Sequence, residues 1–274
     1  MRLKELLNPN RPIGIFDSGV GGLTVAHAIS KSLPNEKIIY FGDTQHLPYG
    51  NKSPNKIIYY SEKITHFLLT KGCKAIVIAC NSASSTALKQ LTDQTDKKCI
   101  LINVIDPLIN AIIDNPSIKR IGVIGTRATI SANTYEKKIK AKRQDISVSS
   151  LATPLLASLI EEDADESYQQ KVVDAYLSNE KLKNIDALIL GCTHYPLITQ
   201  LILNYYNNKI ILFNVSKYIG PLMKEKLKKE NLLIENGKIN KHDFYVSDYT
   251  TNFQEKTKLF FPSAIILKEE NIFS

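Results

Sequence analysis

Two of the four cysteines stand in matching settings, and they carry most of the chemistry this sequence offers. Asp186-Ala-Leu-Ile-Leu-Gly-Cys192-Thr193-His194 repeats the pattern of Lys74-Ala-Ile-Val-Ile-Ala-Cys80-Asn81-Ser82. In each, an apolar run of strand length stops at a small residue and a cysteine, and two polar residues follow. A second pair accompanies the first: Ile13-Gly-Ile-Phe-Asp17-Ser18 matches Ile121-Gly-Val-Ile-Gly125-Thr126. Ile13 to Ile121 is an offset of 108 residues and Cys80 to Cys192 one of 112, nearly a single spacing. The chain therefore reads as two half-sized units, each ending one strand in a hydroxyl and another in a thiol. If the two strand edges face each other, the thiols flank one cavity. One thiolate can then remove a proton from a carbon while the other thiol delivers one from the opposite side.

A free thiol ionises near pH 8.5, so each cysteine needs a neighbour that takes and returns its proton. Asp17 is placed to do this for Cys80, and His194, two residues past Cys192, for the second thiol. Each also has a plainer role, since a strand-end Asp commonly caps a helix and a lone His is commonly structural.

The elements that position these residues alternate between strand and helix. Ile13 to Phe16 reads as a buried strand, and Asp17-Ser-Gly-Val-Gly-Gly22 as the turn into a helix from Leu23 to Leu33. That turn can offer backbone N–H groups to an anion, a carboxylate as readily as a phosphate, but it has neither the Lys-Ser/Thr ending of a phosphate loop nor the register of a dinucleotide fold. Lys37 to Phe41 is the next strand, followed by the loop Gln45-His-Leu-Pro-Tyr-Gly50. Ser53-Pro54 opens a helix to about Thr70 with Ile57, Ile64, Phe67 and Leu68 on one face. Ala75 to Ala79 leads to Cys80, and a helix from about Ser82 and the strand Ile100 to Val104 complete the first unit. Asp106-Pro107 reads as the crossover.

In the second unit, strands are expected at 120–124, 146–151 and 187–190, with helices over 131–142 and from Tyr168 to about Lys183. Beyond Lys209 come a strand at 210–213, a charged helix, a strand at 244–247 and a helix over 251–261. These are too few for a third domain. The pattern predicts an α/β protein of two doubly wound parallel-sheet domains, related by duplication, with the site in the cleft between them. Residues 1–105 with 215–274 would form the first domain and 106–214 the second.

A chain of 274 residues with 43% hydrophobic content can bury two cores. No run of about 18 uncharged apolar residues appears, and Met1-Arg-Leu-Lys-Glu-Leu-Leu is too short and too charged for a signal peptide. A cytoplasmic protein with reduced cysteines is expected. There is no C-x-x-C pair, and the five histidines lack metal-ligand spacing, so no metal is inferred. Cys73 and Cys99, beside strand runs, read as small buried hydrophobes. The net charge of +8 invites a nucleic-acid partner. The basic residues are spread along the chain, however, and the densest cluster, Lys224-Glu-Lys-Leu-Lys-Lys-Glu230, reads as a solvated helix face.

Four segments resemble, in order, the signatures of glutamate racemases within the cofactor-independent aspartate/glutamate racemase family. They are Phe16-Asp17-Ser18-Gly-Val-Gly-Gly22-Leu-Thr, Pro48-Tyr49-Gly50, Ala79-Cys80-Asn81-Ser82-Ala83-Ser84 and Gly191-Cys192-Thr193-His194-Tyr195-Pro196. Gly125-Thr126-x-x-Thr129 and the stretch from Pro154 to Glu161 fit as well, so the likeness runs from about residue 11 to the end. The resemblance implies interconversion of L- and D-glutamate without pyridoxal phosphate or metal, supplying D-glutamate for bacterial peptidoglycan. It implies Cys80 as the acid/base for the D enantiomer and Cys192 for the L, assisted by Asp17, His194 and Glu161. Asp17, Ser18, Pro48, Tyr49, Gly50, Asn81, Ser82, Thr126, Thr193 and His194 would hold the amino acid. The family usually has threonine where this chain has Ser82, a change that keeps the hydroxyl and loses a methyl. His194 favours glutamate over aspartate racemase, where a glutamate is more usual, and arylmalonate decarboxylases keep only one of the two cysteines. A homodimer is left open, and no membrane partner is implied.

Two rival readings stand beside this one. A Cys-His-Asp hydrolase would use Cys192, His194 and Asp17, leaving Cys80 unexplained. A basic nucleic-acid-associated binding protein would use the net charge alone.

Overall fold

The computed structural model describes residues 8–237 and 241–273; the stretch from Met1 to Leu7, read above for a leader, lies outside them. The first unit runs β1 (Ile13–Asp17), α1 (Leu23–Ser32), β2 (Ile38–Gly42), α2 (Pro54–Thr70), β3 (Ala75–Ile78), α3 (Asn81–Thr86), α4 (Leu88–Thr95) and β4 (Ile100–Asn103). The second runs α5 (Asp106–Ile113), β5 (Arg120–Gly125), α6 (Arg127–Ala132), α7 (Thr134–Lys142), β6 (Ser147–Ala152), α8 (Leu156–Glu161), α9 (Glu166–Leu177), β7 (Ala187–Gly191), α10 (Thr199–Tyr205) and β8 (Ile211–Phe213). The chain closes with α11 (Ile219–Lys229), β9 (Asp243–Val246), α12 (Thr251–Phe260) and β10 (Leu267–Glu269).

Two sheets result, ordered β10-β9-β2-β1-β3-β4 and β6-β5-β7-β8, with every pairing parallel. The run β2-β1-β3-β4 has the same order as β6-β5-β7-β8, as the repeated sequence segments anticipate. In each unit the chain leaves its first strand to one side and returns on the other. The carboxyl ends of β1 and β3, and of β5 and β7, therefore border a crevice that helices cannot fill. The central strands β1, β3 and β7 are buried throughout, as expected for apolar runs covered on both faces. The edge strand β6, Ser-Val-Ser-Ser-Leu-Ala, is only partly covered.

One apolar core spans both units, with Ile15 and Val77 of the first sheet and Val123 and Ile189 of the second in the same cluster. Separate clusters lie under α2 to α4 and under α8 to α10. Cys73 and Cys99 are buried in the α2 to α4 cluster, and burial pushes each thiol up to about 12. On α11, Lys224, Glu225, Lys226, Lys228 and Lys229 are exposed while Met223 and Leu227 face the core. Among the described residues no helix is long and apolar enough to cross a membrane.

Several expectations need correction. Asp106-Pro107 does lie on the passage from the first sheet to the second, but it also opens helix α5, since Pro is tolerated in a first turn where its missing N–H has no partner to lose. The helix expected over 131–142 is two, broken at Asn133, whose φ of 53° is left-handed. The helix from Tyr168 stops at Leu177 rather than Lys183. Ser53 sits at the N-terminus of α2 without a side-chain capping bond. The short elements α8, α10 and β10 are additional, being too brief for periodicity to announce.

Candidate active site

A small cavity lies where the two crevices meet. Its wall contains Ser18, Pro48, Tyr49, Gly50, Cys80, Asn81 and Ser82 from the first unit. The second unit adds Thr126, Glu161, Cys192, Thr193 and His194. It offers about 80 Å³ to the centres of water-sized molecules, room for roughly half a dozen waters or one small organic molecule. Every site residue expected from the sequence lines it except Asp17, which is 1% exposed and stands behind Ser18 and Gly19. Among the described residues no group of three or more His, Cys, Asp or Glu is placed to hold a metal ion.

Cys80 lies two residues past the end of β3 and immediately precedes α3. Its Sγ lies 3.8 Å from Ser18 Oγ, which accepts from it. Burial, then the negative charge of Asp17, pushes the thiol up to about 12. Asp17 Oδ2 accepts from the Gly22 N–H at 3.0 Å, bracing the turn before α1 without capping the helix itself, while Oδ1 is buried with no partner among the described residues. Burial raises the Asp17 carboxyl above its usual range despite the opposing charge of His194. Asp17 therefore lies near enough for its charge to act on the Cys80 thiol, whose hydrogen-bond partner is Ser18.

Cys192 has a different environment. Its Sγ lies 3.6 Å from His194 Nδ1, and His194 Nε2 lies 3.1 Å from Glu161 Oε2. The loop after β7 thus folds the imidazole back onto its own cysteine, and α8 brings Glu161 to the far nitrogen. Burial opposes a charge on His194, but the bonds to Cys192 and Glu161 prevail and carry it up to about 10. Burial likewise works against ionised Glu161, yet the hydrogen bond and charge of His194, helped by Lys256, hold it below the usual carboxylate range. The orienting group on His194 is Glu161, so the hydrolase arrangement with Asp17 as third member is corrected.

Glycines let these parts approach. A Cβ on Gly21 would sit 2.6 Å from His194 Nδ1 and 2.8 Å from Thr193 Oγ1. A Cβ on Gly50 would sit 2.6 Å from the Thr126 Cβ. Thr24 Oγ1 of α1 also donates to the Thr193 carbonyl at 3.1 Å, tying the second unit's loop to the first unit's turn.

The polar wall is organised by hydroxyl networks. Ser82 Oγ lies 2.9 Å from Thr126 Oγ1, which caps α6 and lies 3.1 Å from Thr129 Oγ1. The hydroxyl kept at Ser82 is thus engaged across the two units. The Tyr49 hydroxyl donates to buried Asp43 at 2.7 Å, and Asp43 also accepts from Ser247 Oγ and faces His46 Nδ1. Tyr49 therefore offers the cavity its ring and backbone, with its hydroxyl committed behind the wall. Asp43, Thr129, Ser158 and Tyr135 were not among the sequence candidates. Asp43 follows a strand end, a detectable signal, whereas nothing local distinguishes Tyr135.

Residues 22–212 match the model of a family described as Asp/Glu/Hydantoin racemase. The chain is 38% identical over 250 residues to a glutamate racemase of Chlorobaculum parvum, covering 91% of this chain and 92% of that protein. Among solved structures, it is similar to a glutamate racemase of Francisella tularensis in complex with D-glutamate. The TM-score is 0.91 at 35% identity, covering 97% of this chain and 99% of that one. A glutamate racemase from Bacillus anthracis gives a TM-score of 0.89 at 32% identity, covering 96% and 98%.

Proposed function

The chain belongs to the Asp/Glu/hydantoin racemase family and is an amino-acid racemase, and from that premise we propose that it interconverts L- and D-glutamate by proton transfer between two cysteines. The observation that carries this reading is that Cys80 and Cys192, from different sheets, line one small cavity, with the His194 ring on Cys192 and the charge of Asp17 acting on Cys80. In the L-to-D direction Cys192, its proton held by His194, takes the α-hydrogen, and the Cys80 thiol delivers a proton to the opposite face. In the reverse direction Asp17 relieves Cys80 of its proton and Cys192 becomes the donor. Base and acid are both side chains of the protein, so the reaction proposed here draws on no cofactor. Asn81, Ser82, Thr126 and Thr193, with the backbone of Ser18 and Gly50, would hold the amino acid.

The proposed product use is supply of D-glutamate for peptidoglycan in a bacterial cytoplasm, which the bacterial origin of the relatives supports. We also take the chain as two domains, 1–105 with 215–274 and 106–214; the addition of β9 and β10 to the first sheet supports that division. Incubation with L-glutamate in deuterated water tests the activity, following optical rotation and α-deuteration together. Inversion accompanied by deuterium uptake is expected; deuteration without inversion would refute the two-base reaction.

The file Cys192–His194–Glu161 has the outline of a hydrolytic nucleophile, base and orienter. An acyl-enzyme burst with an ester substrate would favour that second reading.

A further inference from the structure

Asn81 is 4% exposed and begins α3 directly after Cys80. Its amide has two ends with different fates. Oδ1 accepts from the Tyr135 hydroxyl at 2.7 Å, whereas Nδ2 is buried with no partner among the described residues. Nδ2 belongs to a side chain that lines the cavity. An NH₂ group left unpaired beside a cavity is costly unless a ligand completes it.

The two ends of an amide are similar in shape, so the hydrogen-bond network decides which one faces the cavity. Tyr135 makes that decision here. Its hydroxyl has one proton, and Asn81 Oδ1 is the acceptor it meets among the described residues. Were the amide turned over, Nδ2 would donate to the hydroxyl, the phenolic proton would lose its acceptor, and Oδ1 would confront the incoming carboxylate. Burial also raises Tyr135 above its ordinary range, keeping the hydroxyl a donor.

The placement of Tyr135 is itself built into the fold. The left-handed Asn133 ends α6 and redirects the chain, so that α7 starts against α3. Thr134 Oγ1 donates to the Ser85 carbonyl at 2.9 Å, fixing the neighbouring residue to the same helix. The Tyr135 ring packs 3.6 Å from where a Cβ on Gly191 would be, next to Cys192.

We propose that Tyr135, from the second unit, is a positioning residue that turns the Asn81 amide of the first unit so that its NH₂ meets a substrate carboxylate. This deepens the racemase reading above and rests on it. The donor is presented only when the first residues of α7 lie against α3, which links substrate recognition to apposition of the two sheets.

The test uses Tyr135→Phe, which keeps the ring and removes one oxygen. Calorimetry should show the Kd for D- and L-glutamate raised on the order of ten- to a hundred-fold, the value of one hydrogen bond to a charged group. KM should rise with it, kcat should change only a few-fold, and thermal stability should stay close to the parent's. In the Asn81→Ala background the same change should cost nothing further, whereas a general packing role would cost the same in both. In the unmutated protein, the side-chain NH₂ signals of Asn81 should move on adding glutamate. An unchanged Kd in a folded Tyr135→Phe protein, additive losses in the double variant, or unmoved NH₂ signals at saturating glutamate would each overturn the proposal. A parent protein that binds glutamate without racemising it would instead refute the activity, while Kd still decides the role of Tyr135.

Discussion

Replacing Glu161 by Gln keeps the shape of the side chain and an oxygen near His194 Nε2 but removes the negative charge. The pair is 3.1 Å apart and mostly shielded from solvent, with 9% and 16% of the two side chains exposed. A hydrogen bond to a charged group in such a site contributes about 1.5–3 kcal/mol, equivalent to roughly one to two pKa units. His194, carried up to about 10 in the parent, should therefore fall to about 8–9. The sign follows from the direction of the shift: a raised pKa means the proton is kept as pH climbs, and the variant gives it up earlier. At pH 7 both proteins still carry the proton, so the variant should be close to parental. At pH 9 about nine-tenths of parent molecules carry it, against about one-tenth to one-half of the variant, a two- to ten-fold loss. The assay is the ratio of variant to parent kcat/KM at each pH, which cancels the titration of the substrate, with an NMR titration of the His194 ring alongside. The two enantiomers are equally stable in water, so kcat/KM must fall equally in both directions. A loss that is uniform across pH, or a His194 titration that does not move, would refute the role given to Glu161.

Cys80→Ala and Cys192→Ala should each abolish racemisation in both directions, because the missing thiol is base one way and acid the other. Mass spectrometry should then find slow deuterium uptake only into D-glutamate when Cys80 remains and only into L-glutamate when Cys192 remains. Gly21→Ala introduces a methyl 2.6 Å from His194 Nδ1, and displacing the ring by about 1 Å should lower kcat on the order of a hundred-fold with the fold intact by circular dichroism. Lys74 is fully buried against Glu36 at 2.6 Å and also donates to the carbonyls of Pro9 and Leu232, joining the start of the chain to its C-terminal return. Lys74→Met should cost about 3–5 kcal/mol in urea unfolding, and adding Glu36→Leu should recover part of it, since the penalty is an unpaired buried charge.

The sequence by itself determined the parts that are encoded locally. Apolar runs of strand length fixed the central strands, and glycines and prolines marked the turns. A cysteine after such a run had to fall at a strand's carboxyl end, where a parallel sheet leaves its crevice. The repeat of those runs was enough to anticipate two units with one thiol each. The tertiary structure alone decided which polar groups meet. His194 is two residues from Cys192 in sequence, yet only the backbone path after β7 turns its ring onto the thiol, and only α8 brings Glu161 to the other nitrogen. Tyr49, read as a substrate-holding residue, spends its hydroxyl on Asp43, a carboxylate that nearby His46 faces and that the returning chain reaches with Ser247. Tyr135 and Asn81 lie in different units, and no pattern along the chain links them. Hydrogen bonds across a cleft depend on the angle between two sheets, which is set by an apolar core drawn from both, whereas periodicity reports only what each segment does with its own neighbours.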